Sequence, residues 1–190
     1  MHILWDFDGT LFNTYPAFIE AMDKLLSGKV DKKEIEQKLK VSFSYAAKEF
    51  HLSQQQITEF KAIETAISPK YKKPFPFVEE ILKKARVNVI MTHKPFNEVK
   101  TILDYYKWND YFSDIIAGDH GYPRKPNCKA YQYLHHKHHI DLVIGDRLLD
   151  ILPGKELGIK TCLFQNNEQG ADFYVDDYKR FFDVLNETWK

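Results

Sequence analysis

The feature that most constrains this chain is an alternation. From residue 78 onward, short apolar runs that read as strands take turns with runs that read as helices. Helices are predicted over Val78–Ala85, Pro95–Tyr106, Lys129–His139, Leu148–Leu157 and Tyr178–Leu185. Strands are predicted over Val87–Met91, Asp114–Ala117, Leu142–Ile144 and Lys160–Phe164. Such alternation predicts a parallel sheet with helices on both faces. His2–Phe7 is a further apolar run, ending in acid, and it belongs to the same sheet. Between it and residue 78 only helical patterns occur: Pro16–Leu26, Lys32–Leu39, Ser44–Phe50 and Gln54–Ile67. Asn13 is the expected cap of the first and Ser53 of the last. Lys72-Lys73-Pro74-Phe75-Pro76-Phe77 is a proline-stiffened return. The expected organisation is an α/β core, residues 1–12 and 78–190, with an all-α block, residues 13–77, inserted after strand one.

Charge excludes several partner classes. The 27 Lys and Arg balance 27 Asp and Glu. A neutral chain lacks the electrostatic motive for binding nucleic acid or an anionic membrane, so neither is an expected partner. No apolar run has the length of a membrane span. The two cysteines, Cys128 and Cys162, cannot build a disulfide framework, which suits a reducing, cytosolic setting. Lysine outnumbers arginine 23 to four (Arg86, Arg124, Arg147 and Arg180), so bidentate clamps are scarce. The oligomeric state stays open.

Four polar signals follow predicted strands, and ligands of open α/β sheets bind beyond the carboxyl ends of strands. The first is Asp6-Phe7-Asp8-Gly9-Thr10. Its two carboxylates, two residues apart on a strand, point the same way and favour a divalent cation or a shared proton; a turn cap is the plainer alternative. The second is Thr92-His93-Lys94, where Thr92 and the amides opening the next helix form either an anion site or a cap. The third is Arg124-Lys125-Pro126-Asn127, and the fourth Gly145-Asp146-Arg147-Leu148-Leu149-Asp150, which adds acid at the same edge.

Taken together, in this order and spacing, the four resemble the four motifs of the haloacid dehalogenase superfamily over nearly the whole chain. The helical block resembles that family's small α-cap on its Rossmann-like core. The resemblance implies a phosphatase of the phosphoglycolate phosphatase-like branch that acts on a small phosphorylated metabolite. It implies that Asp6 is the nucleophile, forming an aspartyl phosphate, and that Asp8 is the acid and base. Thr92 and Lys125 would bind the phosphoryl oxygens. Mg²⁺ would be held by Asp6, the Asp8 carbonyl and Asp146, with Asp150 fixing a water ligand or Lys125. Gly9, Thr10, His93, Lys94 and Lys40 are the expected substrate contacts, Lys40 from a turn between cap helices. Dehalogenases of the family lack an acid at the position of Asp8, so Asp8 favours phosphoryl transfer. The chain departs from the pattern at Asn13 (often Asp), Phe77 (often Gly) and Asn127-Cys128 (a second proline is common).

Two rival readings share these residues. A phosphomutase of the β-phosphoglucomutase type has the same cap and motifs, but no arginine lies between Met1 and Lys84 to hold a second phosphate. A non-catalytic binding protein on the same fold is the other. The tract His135-His136-Lys137-His138-His139 reads as a solvated helix end rather than a metal site. His120 is a further candidate substrate contact. Phe18, Phe43, Tyr45, Phe50 and Phe60 read as the core of the helical block. The two chain passages into that block are expected to hinge it over Asp6, leaving room for a small ester and none for a macromolecule.

Overall fold

The computed structural model describes residues 1–188. The elements run β1 (His2–Trp5), β2 (Phe12–Asn13), α1 (Tyr15–Leu25), α2 (Lys32–Val41), α3 (Phe43–Glu49), α4 (Gln54–Ala66), β3 (Lys73–Pro74) and α5 (Val78–Lys84). They continue with β4 (Val87–Met91), α6 (Phe96–Tyr106), β5 (Asp114–Ile116), α7 (Lys129–His138), β6 (Leu142–Gly145), α8 (Leu148–Glu156), β7 (Lys160–Phe164), β8 (Phe173–Val175) and α9 (Phe181–Thr188).

Six strands form one sheet in the order β5-β4-β1-β6-β7-β8, and every pairing is parallel. Strand order reverses at β1, which lies between β4 and β6. That reversal places a crevice at the carboxyl end of β1, where open sheets bind their ligands. Alternate side chains of each strand feed opposite cores. Ile3, Trp5, Ile90, Ile144 and Phe164 pack on one face with α5, α6 and α9 residues such as Ile81, Leu103 and Phe181. Leu4, Val89, Met91, Val143 and Leu163 pack on the other with Tyr131 and Leu134 of α7 and Ile151 of α8. A strand buried on both faces reads as a continuous apolar run, which is how β4, β6 and β7 appear in the sequence. The buried polar exceptions are Thr161 of β7, whose hydroxyl donates to Asp172 Oδ2 at 2.8 Å, and Asn88 of β4. Its Oδ1 accepts the Trp5 indole N–H at 2.9 Å and its Nδ2 donates to Leu82 O at 2.9 Å, so both buried groups are satisfied.

The chain divides into two compact units, Met1–Phe12 with Pro74–Lys190, and Asn13–Lys73. The second unit begins and ends close to the expected limits but returns at Pro74 rather than Val78. The reason is local: Lys73–Pro74 pairs with Phe12–Asn13 as a two-stranded ribbon, and the Phe75 N–H then donates to Leu11 O at 3.0 Å. Within the helical unit, Ala21, Met22, Ile35, Leu39, Ala46 and Phe60 form a core. Phe43 stacks on Phe60 at 4.6 Å, while Tyr45, expected in that core, is exposed. Ser53 caps α4 through a reciprocal pair with Gln56.

Several boundaries differ from expectation. Asn13 lies in β2, and Thr14 takes the position before α1 without a side-chain cap bond. The β1 strand stops at Trp5, although the Asp6 N–H extends the ladder by donating to Ile144 O at 2.9 Å. The last helix starts at Phe181, because Tyr178–Arg180 forms a 3-10 turn held by the Asp177 carboxylate. The β8 strand was not predicted. Among the described residues, no helix is long and apolar enough to cross a membrane.

Candidate active site

Asp6 leaves the end of β1 buried, at 3% exposure, and meets Lys125. Lys125 Nζ lies 2.5 Å from Asp6 Oδ1 and 2.8 Å from Asp150 Oδ1. All three side chains are buried. Asp150 is anchored further: its Oδ2 accepts from the Arg147 backbone N–H at 3.2 Å and from Arg147 Nε at 3.3 Å, and its carbonyl accepts the Tyr131 hydroxyl at 2.7 Å. Gly145 permits this approach, since a Cβ there would fall 2.3 Å from Asp150 Cβ. Asp146 stands beside them, with Oδ1 3.7 Å from Arg147 Nε.

The charges are strongly interdependent. Burial, then the Asp150 charge, push the Asp6 carboxyl above its ordinary value, against the pull of Lys125 and Arg147. Burial penalises the Asp150 charge too, but Lys125 and Arg147 overcome it and hold that carboxyl low. Burial works against the Lys125 charge as well, yet Asp150 and Asp6 raise its pKa above the lysine range. After burial, the carboxylate that presses on Asp6 is that of Asp150, which the spacing did not suggest.

Asp8 is half-buried and faces Lys94 instead, with Nζ 3.5 Å from its Oδ1. Lys94 is buried and also meets Glu98 at 3.4 Å, one helical turn on. Gly9 takes φ 80°, and its N–H donates to Phe12 O at 2.8 Å, turning the chain back after Asp8. Thr10 is buried; its hydroxyl lies 3.4 Å from Asp6 Oδ2 and its carbonyl accepts the Tyr178 hydroxyl at 3.0 Å. Thr92 is buried at the end of β4, and its Oγ1 accepts the Lys94 N–H at 3.1 Å. His93 Nε2 accepts the Lys125 backbone N–H at 2.8 Å, which ties the second signal to the third. Burial, then Lys125 and Arg124, pull the His93 pKa down to about 3.

The structure thus brings together Asp6, Lys125, Asp146 and Asp150, with Thr10 at Asp6, and links His93 to Lys125. Carboxylate oxygens of Asp6, Asp146 and Asp150 lie within 4.8 Å of one another. They are hard oxygen donors of the kind divalent Mg²⁺ takes. Lys125 pairs with Asp6 and Asp150, and Arg147 with Asp150 and Asp146; three converging carboxylates of this kind fit a divalent cation. Arg147 is the participant that the sequence reading left without a role; its spacing of three from Asp150 was the available signal. Glu98 was likewise missed, although it stands four residues after Lys94.

Lys40 belongs to the helical unit; it sits in the last turn of α2 rather than in an inter-helix turn, 2.9 Å from Glu36. His120 is exposed and packs against Phe96 at 5.2 Å. His138 meets Asp114 at 3.0 Å, beside Lys137 on the same carboxylate. Cys162 is fully buried, which pushes its thiol up to about 12.

Comparisons with known proteins give the family and the fold. A phosphoglycolate phosphatase of Vibrio vulnificus (strain CMCP6) is 32% identical over 127 residues, covering 58% of this chain and 56% of that protein. One of Psychrobacter arcticus is 25% identical over 223 residues, covering 98% of this chain and 96% of its own. A hydrolase from Streptococcus pneumoniae TIGR4 superposes with a TM-score of 0.69 at 26% identity, covering 97% of each chain. Residues 3–164 match the haloacid dehalogenase-like hydrolases, and the chain belongs to that family.

Proposed function

We propose that this phosphatase of the haloacid dehalogenase-like family hydrolyses a small phosphorylated metabolite, with Mg²⁺, through an aspartyl phosphate on Asp6. The observation that carries the reading is the buried Lys125 ammonium, 2.5 Å from Asp6 Oδ1 and backed by Asp150. It fixes one carboxylate oxygen and sets a positive charge where a phosphoryl group would arrive. Two free cysteines suit work in the cytoplasm.

An Asp6 carboxylate oxygen attacks phosphorus, and the bond to the leaving oxygen breaks. Asp8 gives that oxygen its proton. The Asp8 carboxylate then takes a proton from water as the water attacks phosphorus, and the bond to Asp6 breaks, releasing phosphate. Lys125 and Thr92 hold the phosphoryl oxygens, with Gly9, Thr10, His93 and Lys94 around them. Lys94, 3.5 Å from Asp8, also orients that acid. Asp6, the Asp8 carbonyl and Asp146 would hold Mg²⁺, while Asp150 positions Lys125. When bound, Mg²⁺ supplies charge that offsets the negative charge of the transferring group. The absence of arginine from residues 13–73 disfavours a mutase, which must hold a second phosphate while the first is transferred.

The test is phosphate release from a panel of small phosphate esters and inorganic pyrophosphate, with Mg²⁺ and with chelator. A phosphorylated protein and a 3′-phosphorylated oligonucleotide serve as controls. Turnover of small esters that needs Mg²⁺ is expected. No release from any substrate, or best release from either macromolecule, contradicts the reading.

A further inference from the structure

Arg124 is exposed, and its guanidinium rests against a ring nitrogen that cannot accept from it. Its Nη2 lies 3.1 Å from Nδ1 of His93. The other nitrogen of that ring, Nε2, accepts the Lys125 backbone N–H at 2.8 Å. A backbone N–H only donates, so Nε2 carries the lone pair, and a neutral imidazole then carries its hydrogen on Nδ1. Guanidinium has N–H donors and no acceptor. The contact therefore sets donor against donor. Protonating the ring would not mend it, because both nitrogens would then donate and the Lys125 bond would be lost. The depressed pKa of His93, which follows first from burial, agrees with a neutral ring. Among the described residues no ion pair holds Arg124, whereas Arg147 is held by Asp146 and Asp150.

The position of this pair matters. His93 follows Thr92 at the end of β4, and Arg124 immediately precedes Lys125, whose ammonium lies on Asp6. Both residues are thus tied to the carboxyl edge of the sheet. The chain has four arginines against 23 lysines, and one of the four stands here. What arginine adds over lysine is a planar fork that grips two oxygens at once.

We propose that Arg124, together with the Nδ1–H of His93, reads a second anionic group on the substrate, a carboxylate or a second phosphate beside the phosphoryl group that Asp6 attacks. An oxyanion between the two donors turns an unfavourable contact into two hydrogen bonds, one of them charge-assisted. The inference rests on the phosphatase reading and narrows its substrate to small esters that carry another negative charge.

The test compares kcat/KM for the phosphate ester of glycolic acid, for ethylene glycol bisphosphate and for ethyl phosphate, in wild type, Arg124→Gln and Arg124→Lys. Wild type should prefer one or both of the esters with a second charge. Arg124→Gln should reduce that preference by about 10- to 100-fold, mainly through KM, and Arg124→Lys by less. The ester whose preference collapses identifies carboxylate or phosphate as the group read. If wild type shows no preference, or if Arg124→Gln leaves the preference within about twofold while ethyl phosphate is still hydrolysed, the Arg124 inference is wrong and the phosphatase reading stands. If wild type hydrolyses none of the three yet releases phosphate from other small esters, this inference is wrong and the phosphatase reading stands; release from no ester at all overturns both.

Discussion

Lys125 Nζ and Asp6 Oδ1 meet at 2.5 Å, across 119 residues of sequence and almost wholly out of contact with water. The ammonium is shared with Asp150, so one cation serves two buried carboxylates. Breaking a buried ion pair from one side leaves uncompensated charge, which costs far more than losing an exposed pair.

Lys125→Met is therefore expected to destabilise the fold by about 3–5 kcal/mol and to reduce turnover by orders of magnitude. Adding Asp6→Asn to it should recover part of the stability and none of the activity, because one of the stranded charges is gone. Urea unfolding of the two variants checks this. With Asp6→Asn alone completing the cycle, an effect of Asp6→Asn that is the same in wild type and in Lys125→Met would show that the two are not coupled.

Asp8 is assigned the proton that the leaving oxygen needs. Asp8→Asn should then slow alkyl phosphates by about 10²–10⁴-fold and an activated aryl phosphate distinctly less, since a good leaving group needs little protonation. Single-turnover kinetics on the two ester classes measure the difference. Equal losses would remove Asp8 from the acid role.

Asp146 is assigned to the metal. Asp146→Ala should raise the Mg²⁺ concentration giving half-maximal rate by tenfold or more, or abolish activity. Replacing His135, His136, His138 and His139 by Gln should leave that concentration where it was, because His138 is occupied by Asp114 and the tract lies outside the acidic cluster. Mg²⁺ titrations of both variants decide the matter; a shift in the histidine variant alone would reverse the assignment.

Phe77 offers a stability test independent of chemistry. It adopts φ 64°, a left-handed conformation that costs a residue with a Cβ about 1–2 kcal/mol. Phe77 is 41% exposed, so its ring contributes modest burial. Phe77→Gly should stabilise the protein by about 0.5–1 kcal/mol after the extra backbone entropy of glycine is counted. Phe77→Ala keeps the strain, loses the ring and should destabilise. Thermal unfolding of the pair checks the sign of each change.

Phe77, where the resembled family often has glycine, takes a left-handed backbone that its sequence alone did not announce. The sheet was more legible. β4 and β7 have the expected bounds, because a strand buried on both faces is mostly apolar along its length. β8 was not legible, because Phe173–Val175 has only three residues, set between Asp172 and Asp176, and pairs along one side only. Its existence depends on the neighbouring β7 rather than on local pattern. The site divides similarly. Residues at strand ends, Asp6, Thr92 and Asp146, could be located because topology sends strand ends to one edge. The partners that set their charge could not. Spacing suggested Asp8 as the carboxylate acting on Asp6 but gave no sign of Asp150, on α8, which is brought in over the bare surface of Gly145.

The central claim is that phosphorus becomes bonded to Asp6, and the most direct measurement is to trap that bond. Wild-type enzyme turning over its best ester with Mg²⁺ is quenched in acid, reduced with borohydride and digested, and the peptide containing residue 6 is examined by mass spectrometry. An acyl phosphate on Asp6 is reduced to the alcohol, so homoserine is expected at residue 6 in a substrate-dependent amount. Homoserine at another carboxylate, or an intact Asp6 in a reaction shown to accumulate a phosphoenzyme, would contradict the account.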